Sequence, residues 1–241
     1  MAVDHDSSTP PDATLEVPPL VGGRLRRFAP VVIAVEVGLV LMLAVLVWHA
    51  TKGGWFDRAV GERLYAPPGS VPRVSFTLIS VLGLPAVAMA SAVGIGLAVW
   101  RRMRNVLMAL FPPAAVILSV ILESIVKVLV SRARPDTALL VHVHGRSFPS
   151  GHATATTALA LTAAVLAYAL RVHHRRLVLV AGAAYALAVC LARIALGVHY
   201  LTDVVAGAAL AGAVVLSAAL VLGHLATARR WPHRAPVTRV G

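Results

Sequence analysis

The chain has little charge and few aromatic side chains. Only 13% of its 241 residues are charged and 5% are aromatic, whereas 59% are hydrophobic. Soluble domains usually carry ~45–50% apolar residues, and they need more polar surface than this chain can supply. The scarcity of charge therefore excludes an ordinary soluble fold and places the chain among membrane proteins.

Cysteine is nearly absent. The one cysteine, Cys190, lies inside an apolar run and excludes an intrachain disulfide. The sequence contains no Cys/His pairing with zinc spacing, and it has no carboxylate cluster of the kind that holds Mg²⁺. We therefore expect neither a disulfide framework nor a metal site.

Acidic residues are scarce relative to basic ones. Ten Asp and Glu stand against 22 Lys and Arg, which gives a formal net charge of +12. In a soluble protein such an excess would suggest nucleic acid as a partner. Here the arginines form short clusters between apolar runs. This pattern is typical of loops in membrane proteins, where basic residues set the orientation and contact anionic headgroups. We therefore expect membrane lipids, and no nucleic acid, as partners.

Long apolar runs are what the chain has in abundance. Each is close to the ~20 residues that cross ~30 Å of hydrocarbon as a helix. Helices are expected because the backbone must form its hydrogen bonds internally in lipid. The sequence thus predicts an all-α, polytopic bundle of six transmembrane helices at about 30–50, 74–100, 105–130, 152–170, 177–196 and 201–225.

The tails and the arginine clusters predict the topology. Residues 1–27 are predicted to form a disordered tail, residues 28–225 the six-span domain, and residues 226–241 a basic tail. Six spans place both tails on one side of the membrane, and that side carries more arginine than the other. The positive-inside rule makes it the cytoplasmic side of a multi-pass cell-membrane protein.

Polar residues stand at the ends of several spans, where charge is costly. Because consecutive spans alternate in direction, these residues should all reach the same membrane face, the outer one. They are Lys127, Arg134, Ser150, Gly151, His152, Arg193, His199 and Asp203.

Each residue also has a plainer explanation. Taken alone, Lys127 is better explained as a snorkelling lysine than as a functional residue. Arg134 is explained equally well as a loop charge or as a functional residue, and Ser150 can be a simple N-cap. Arg193 is harder to dismiss, because an unpaired charge in an apolar setting costs ~2.5–3.5 kcal/mol or more. It should have an anionic partner, and Asp203 is one candidate.

His199 and Asp203 are spaced i and i+4, on one helix face about one turn apart. This spacing lets the carboxylate accept a hydrogen bond from one ring nitrogen and leaves the other free as a nucleophile; a structural His–Asp bond is the alternative. The helix start at Ser150-Gly151 offers backbone amides to an anion. Three permanent cations at one boundary also call for an anion, which a phosphate or pyrophosphate would supply.

The motifs at these positions resemble those of the type 2 phosphatidic acid phosphatase superfamily, which includes vanadium haloperoxidases and bacterial acid phosphatases. The family pattern is Lys, six residues and Arg-Pro, then Pro-Ser-Gly-His, then Arg, five residues, His, three residues and Asp. All spacings match, from Lys127 to Asp203, with Ala192 as the one departure where the family often has Ser.

The resemblance implies a metal-independent mechanism with no cofactor. His199 would attack phosphorus to form a phosphohistidine, Asp203 would orient it, and His152 would protonate the leaving oxygen. The phosphoryl oxygens would be held by Lys127, Arg134, Arg193, Ser150 and the amide of Gly151.

The implied substrate is a lipid phosphate or pyrophosphate, hydrolysed at the outer face. An undecaprenyl- or decaprenyl-type pyrophosphate of cell-envelope synthesis is the leading candidate. Phosphatidic acid, phosphatidylglycerophosphate and phosphotransfer to another acceptor, with the loop 136–147 as the acceptor site, are the alternatives. The roles of Glu36 and of that loop, and the oligomeric state, stay open.

Overall fold

The structure is a computed structural model that describes residues 20–49, 52–141 and 145–228. Most of the predicted tails, at 1–19 and 229–241, lies outside the described residues, as do residues 142–144 of the loop 136–147. The described residues form eight α-helices and one 3₁₀-helix at Asp136–Val141. The α-helices are α1 Gly23–His49, α2 Trp55–Leu64, α3 Val71–Leu82, α4 Pro85–Met103, α5 Val106–Val130, α6 Gly151–Ala169, α7 Arg175–Ala195 and α8 Leu201–Ala228.

Six of these helices are long and apolar enough to cross a membrane, namely α1, α4, α5, α6, α7 and α8. The predicted all-α bundle of six spans is thereby confirmed. The first helix begins at Gly23, so residues 23–27, which we predicted as part of the tail, extend α1 instead.

The centre of the bundle is built on α6 and α8. About 61% of the α6 span and 56% of the α8 span are buried, compared with 17% of the α1 span. Both helices are rich in Ala and Gly, and small residues let membrane helices approach closely. A Cβ on Gly207 of α8 would lie 2.8 Å from the Ser150 carbonyl oxygen. This close contact joins the start of α6 to α8.

The predicted second span at 74–100 is wrong in its extent, because the run contains two helices. The helix α3 ends at Leu82, with Gly83 as its C-cap, and α4 begins at Pro85. Proline disfavours helical conformation in the residue before it, which explains the break. A Cβ on Gly83 would lie 2.5 Å from Cγ1 of Val189, so the break also lets the chain approach α7 closely. Only α4 is long enough to span, and α3 packs against α7.

The short helix α2 was not predicted. It has ten residues, carries charges on several sides and is too short to span, so neither apolar length nor periodicity marks it in the sequence. It contacts α7 and α8. Its Asp57 is only 4% exposed, which brings a carboxylate from outside the predicted motifs into the interior.

Candidate active site

A cavity of about 600 Å³ at one end of the bundle collects most of the predicted site residues. The predicted residues that line it are Lys127, Arg134, Gly151, His152, Arg193 and His199. Asp203 and Ser150 are fully buried, with 0% exposure. The structure thus brings together residues from α5, α6, α7 and the start of α8, as alternating spans require.

His199 is held from behind by Asp203. Its Nδ1 lies 3.3 Å from Oδ2 of Asp203, and the same oxygen accepts the backbone N–H of Tyr200 at 2.9 Å. His199 itself precedes the first residue of α8, and the i, i+4 contact is kept because the amide of Asp203 donates to the Tyr200 carbonyl at 3.2 Å. The carboxylate thereby fixes one ring nitrogen and leaves Nε2 toward the cavity.

The second ring nitrogen of His199 meets an arginine. Nη1 of Arg134 lies 3.1 Å from His199 Nε2 and donates to the Val198 carbonyl oxygen at 2.8 Å. The guanidinium is therefore fixed by the backbone beside the imidazole. Burial lowers the pKa of Arg134 from its ordinary value, and the carboxylates of Asp203 and Glu123 oppose that change.

The environment of His199 favours a neutral ring. Burial, with the cations Arg193 and Arg134 adding to it, lowers the pKa of His199 to about 4, against the raising effect of Asp203. At pH 7 the pH lies well above this pKa, so the ring is unprotonated. Its Nε2 therefore carries a lone pair, as a nucleophile requires. In this structure Arg134 Nη1 donates to that lone pair at 3.1 Å, so a bound phosphate must draw Arg134 away before Nε2 attacks.

Arg193 has no anionic partner among the residues that the structure describes, although the sequence suggested one. Its Nη1 donates to the hydroxyl of Ser80 in α3 at 2.7 Å, and Asp203 instead pairs with Arg132. The Ser80 hydroxyl accepts a hydrogen bond from Arg193 but does not neutralise the charge of its guanidinium. Arg193 thus keeps its positive charge at the cavity wall, where it is 9% exposed.

Lys127 pairs with Glu123 one turn earlier in α5. The same carboxylate lies under the start of α6, since a Cβ on Gly151 would stand 3.3 Å from Glu123 Oε1. A larger residue at 151 would push against this carboxylate. Glu123 therefore holds the lysine and sets how closely the Ser-Gly-His segment approaches it.

Ser150 occupies the N-cap position of α6, but its side chain makes no capping hydrogen bond. Its amide donates to the Asp203 carbonyl oxygen at 3.0 Å. The hydroxyl oxygen is buried and has no hydrogen-bond partner among the described residues. Ser150 is thus the N-cap residue of α6 without the side-chain bond of a simple cap, and its amide ties α6 to the start of α8. Its role in binding phosphate stays a prediction.

Arg132 is the main site residue that sequence reasoning missed. It is 1% exposed, and its guanidinium joins two carboxylates: Nη1 donates to Asp203 Oδ1 at 2.6 Å and Nη2 to Asp57 Oδ2 at 2.7 Å. Asp57 in turn accepts the backbone N–H of Thr202 at 3.0 Å. The network fastens α2 and the chain after α5 to α8, and it orients the carboxylate that holds His199.

The turn after α5 explains why Arg132 and Arg134 differ. Ser131 adopts a left-handed conformation with φ of 52°, and its amide donates to the Lys127 carbonyl at 3.1 Å. The helix ends there, and the chain that follows directs Arg132 into the interior and Arg134 to the cavity. In the sequence the two arginines are separated by one residue, and nothing there indicates that one is buried and the other faces the cavity.

The family profile described as the PAP2 superfamily matches residues 108–226. This region contains the whole motif set from Lys127 to Asp203. Residues 108–226 of this chain are thus similar to the PAP2 superfamily. The match confirms the resemblance that the motif spacing indicated.

Curated and solved PAP2 proteins extend the comparison. "Phosphatidylglycerophosphatase B" of Bacillus subtilis (strain 168) is 38% identical over 93 residues, which cover 36% of this chain and 44% of the relative. The match thus spans less than half of the relative's length. A solved structure, "the first transmembrane PAP2 type phosphatidylglycerolphosphate phosphatase from Bacillus subtilis", aligns with a TM-score of 0.65 at 24% identity, over 83% of this chain and 98% of that one. This second likeness shows a shared PAP2 fold.

Proposed function

We propose that the protein is an integral-membrane lipid phosphatase that transfers a phosphoryl group to His199 and then to water. The observation that carries the proposal is the ring of His199. Asp203 holds its Nδ1 at 3.3 Å, and its Nε2 faces a cavity whose walls carry the cations Lys127, Arg134 and Arg193. A neutral imidazole beside three cations suits attack on a phosphoryl group.

In the first step Nε2 of His199 bonds to phosphorus as the bond from phosphorus to the lipid oxygen breaks. His152 gives a proton to that oxygen, and Asp203 stabilises the positive charge that develops on the phosphorylated ring. Lys127, Arg134 and Arg193 bind the phosphoryl oxygens and offset their charge. In the second step His152 takes a proton from water, whose oxygen bonds to phosphorus as the bond from phosphorus to Nε2 breaks. Inorganic phosphate leaves and His199 is again neutral.

The substrate of the proposed reaction is a lipid, because the cavity lies at the end of membrane helices. The name of the Bacillus subtilis relative supports phosphatidylglycerophosphate. A polyprenyl pyrophosphate, phosphatidic acid and phosphotransfer to a second acceptor are the other candidates that the motifs allow. The proposed orientation places both termini in the cytoplasm and the cavity at the outer face. Arginines at the other end of the bundle, among them Arg101, Arg102, Arg175 and Arg176, support this orientation through the positive-inside rule.

The proposed activity is tested by phosphate release from detergent-purified protein, with EDTA present. The panel contains phosphatidic acid, phosphatidylglycerophosphate, polyprenyl monophosphate and polyprenyl pyrophosphate. We expect release from at least one lipid and none from the His199→Asn variant. Wild-type protein that releases no phosphate from any of them, or that requires an added metal ion, would contradict the proposal.

The protonation of His199 gives a direct prediction. Because burial lowers the pKa of this ring to about 4, its imidazole should stay neutral down to that pH and lose nucleophilicity below it. NMR of ¹⁵N-histidine-labelled protein should show one ring titrating near pH 4, with His199→Asn removing that signal. A ring at this position that titrates at its ordinary value of about 6.5 would contradict the neutral-nucleophile assignment.

Ser80 should act on the reaction through Arg193. Ser80→Ala removes the acceptor at 2.7 Å and leaves a buried Arg193 donor unpaired. Hydrogen bonds to charged groups contribute ~1.5–3 kcal/mol, so we expect kcat/KM to fall by roughly tenfold or more, with a higher KM. Ser75→Ala, on the exposed side of the same helix, is the matched control. Equal activity in both variants would show that Ser80 does not position Arg193.

A further inference from the structure

The helix α3 presents a polar face to the active-site cavity. Arg73, Thr77 and Ser80, at i, i+4 and i+7, all line it. The neighbouring positions Val74 and Leu78 are 61% and 63% exposed on another side of the helix. All of α3 precedes the region that the PAP2 profile matches, at 108–226. The motif comparison therefore assigns no role to these three side chains.

Arg73 supplies a fourth cation to the cavity. One of its nitrogens, Nη1, donates to the Ala66 carbonyl oxygen at 2.6 Å, which holds the side chain in place. A guanidinium has five N–H donors, so this single bond leaves donors for a ligand. In the described part of the chain, Arg73 forms no ion pair with a carboxylate. Its charge is thus not neutralised by the protein.

The charge of the cavity exceeds what one phosphate can balance. Its lining contains four cationic side chains and one carboxylate, Glu123. Three positive charges are therefore in excess with both histidines neutral, and four when His152 carries the proton that it donates. A phosphomonoester carries about −1.5 to −2 at pH 7. A ligand with one further anionic group would balance the remainder.

The position of Arg73 on α3 separates it from the point where this helix meets Arg193. Seven residues of helix place Arg73 about 10 Å along the α3 axis from Ser80, which touches Arg193 directly. The side chain is bonded to the carbonyl oxygen of Ala66, which precedes α3, so its guanidinium is held at the end of the helix away from Ser80. Arg73 is thus suited to an anion beside the reacting phosphoryl group, not to that group itself.

We propose that Arg73 binds a second phosphate group of the substrate, so that this site prefers lipids with two phosphates over lipids with one. This inference rests on the proposed lipid phosphatase activity. Arginine is the side chain best suited to bind phosphate oxygens in pairs. The second phosphate can be the inner phosphate of a pyrophosphate or a phosphodiester linked through glycerol, as in phosphatidylglycerophosphate.

The test compares kcat/KM for matched lipids that differ by one phosphate. Phosphatidylglycerophosphate is paired with phosphatidic acid of the same acyl chains, and polyprenyl pyrophosphate with polyprenyl monophosphate. Each pair gives a ratio for the wild type, for Arg73→Met and Arg73→Lys, and for the control Arg63→Met. Arg63 is an exposed cation of α2 that does not line the cavity.

We expect the wild type to prefer the two-phosphate lipid of at least one pair. Arg73→Met should lower that ratio about tenfold or more, as loss of a charged hydrogen bond predicts; Arg73→Lys should keep part of it, and Arg63→Met all of it. The pair whose ratio falls identifies the source of the second phosphate. Turnover with no preference, or with ratios that Arg73→Met leaves unchanged, overturns this inference alone. Wild-type protein that hydrolyses none of the four lipids overturns the proposed function as well.

Discussion

Replacement of His199 by asparagine is expected to lower kcat for phosphate release by about 10⁴-fold or more, as loss of a nucleophile does in other covalent enzymes. The asparagine amide can still donate to Asp203 in place of Nδ1, but it has no counterpart of Nε2. Substrate affinity should change little, because Lys127, Arg134 and Arg193 remain in the cavity. His199→Ala should be equally inactive.

The measurement is single-turnover phosphate release together with lipid binding by the same purified protein. His173→Asn, which changes an exposed histidine in the connection between α6 and α7, is the matched control and should keep wild-type activity. A His199→Asn variant whose kcat stays within tenfold of the wild type would show that this ring is not the nucleophile.

Replacement of Arg132 by leucine is expected to have the largest effect on stability. The guanidinium lies between the carboxylates of Asp57 and Asp203, at 2.7 and 2.6 Å, and its removal leaves two buried charges without their partner. Breaking a buried ion pair costs ~3–5 kcal/mol. At about 2–4 °C per kcal/mol for a chain of this size, Tm should fall by roughly 10 °C. Activity should fall too, because Asp203 would no longer be fixed behind His199.

Thermal unfolding in detergent and phosphate release together test this prediction. Arg146→Leu changes an exposed arginine in the same connection between α5 and α6, and it should leave Tm within about 1 °C of the wild type. Asp57→Asn keeps an oxygen acceptor for Arg132 and should have an intermediate effect. If Arg132→Leu and Arg146→Leu unfold at the same temperature, the network contributes nothing to stability.

The central part of the site could be predicted because two independent patterns agree. Alternating span direction puts Lys127, His152, Arg193 and His199 at one end of the bundle, and the i, i+4 spacing pairs His199 with Asp203. The first pattern depends on long helices, which are well marked by their apolar length. The second holds although His199 precedes α8, because the turn at Tyr200 leads directly into that helix. Lys127, His152, Arg193 and His199 accordingly line one cavity, and Asp203 lies buried behind His199.

The supporting residues could not be predicted, because they come from short elements whose position depends on tertiary contacts. Asp57 lies on a ten-residue helix without a spanning signal, and Ser80 lies on a helix that apolar length alone merges with the next one. Arg132 differs from Arg134 through the left-handed turn at Ser131. A serine in that conformation is uncommon, and nothing in the local sequence marks it.

The hydrogen-bond partner of Arg193 could also not be predicted from the sequence. The sequence indicated that a charge in an apolar helix needs a carboxylate, but the structure supplies the hydroxyl of Ser80 and directs Asp203 to Arg132. A site that binds an anionic substrate benefits from this arrangement, because a cation already paired with a carboxylate attracts the substrate less strongly. Asp203 and Glu123 thus hold His199 and Lys127, while Arg193 keeps its charge for the ligand.

Chemical trapping of the covalent intermediate tests the proposed mechanism most directly. Protein mixed with a lipid carrying a ³²P-labelled terminal phosphate is quenched within milliseconds in alkaline detergent, which preserves phosphohistidine, and digested into peptides. We expect acid-labile label on the peptide that contains His199, and none in His199→Asn. Turnover that proceeds at the wild-type rate with no labelled protein, or with the label on another residue, would contradict the account.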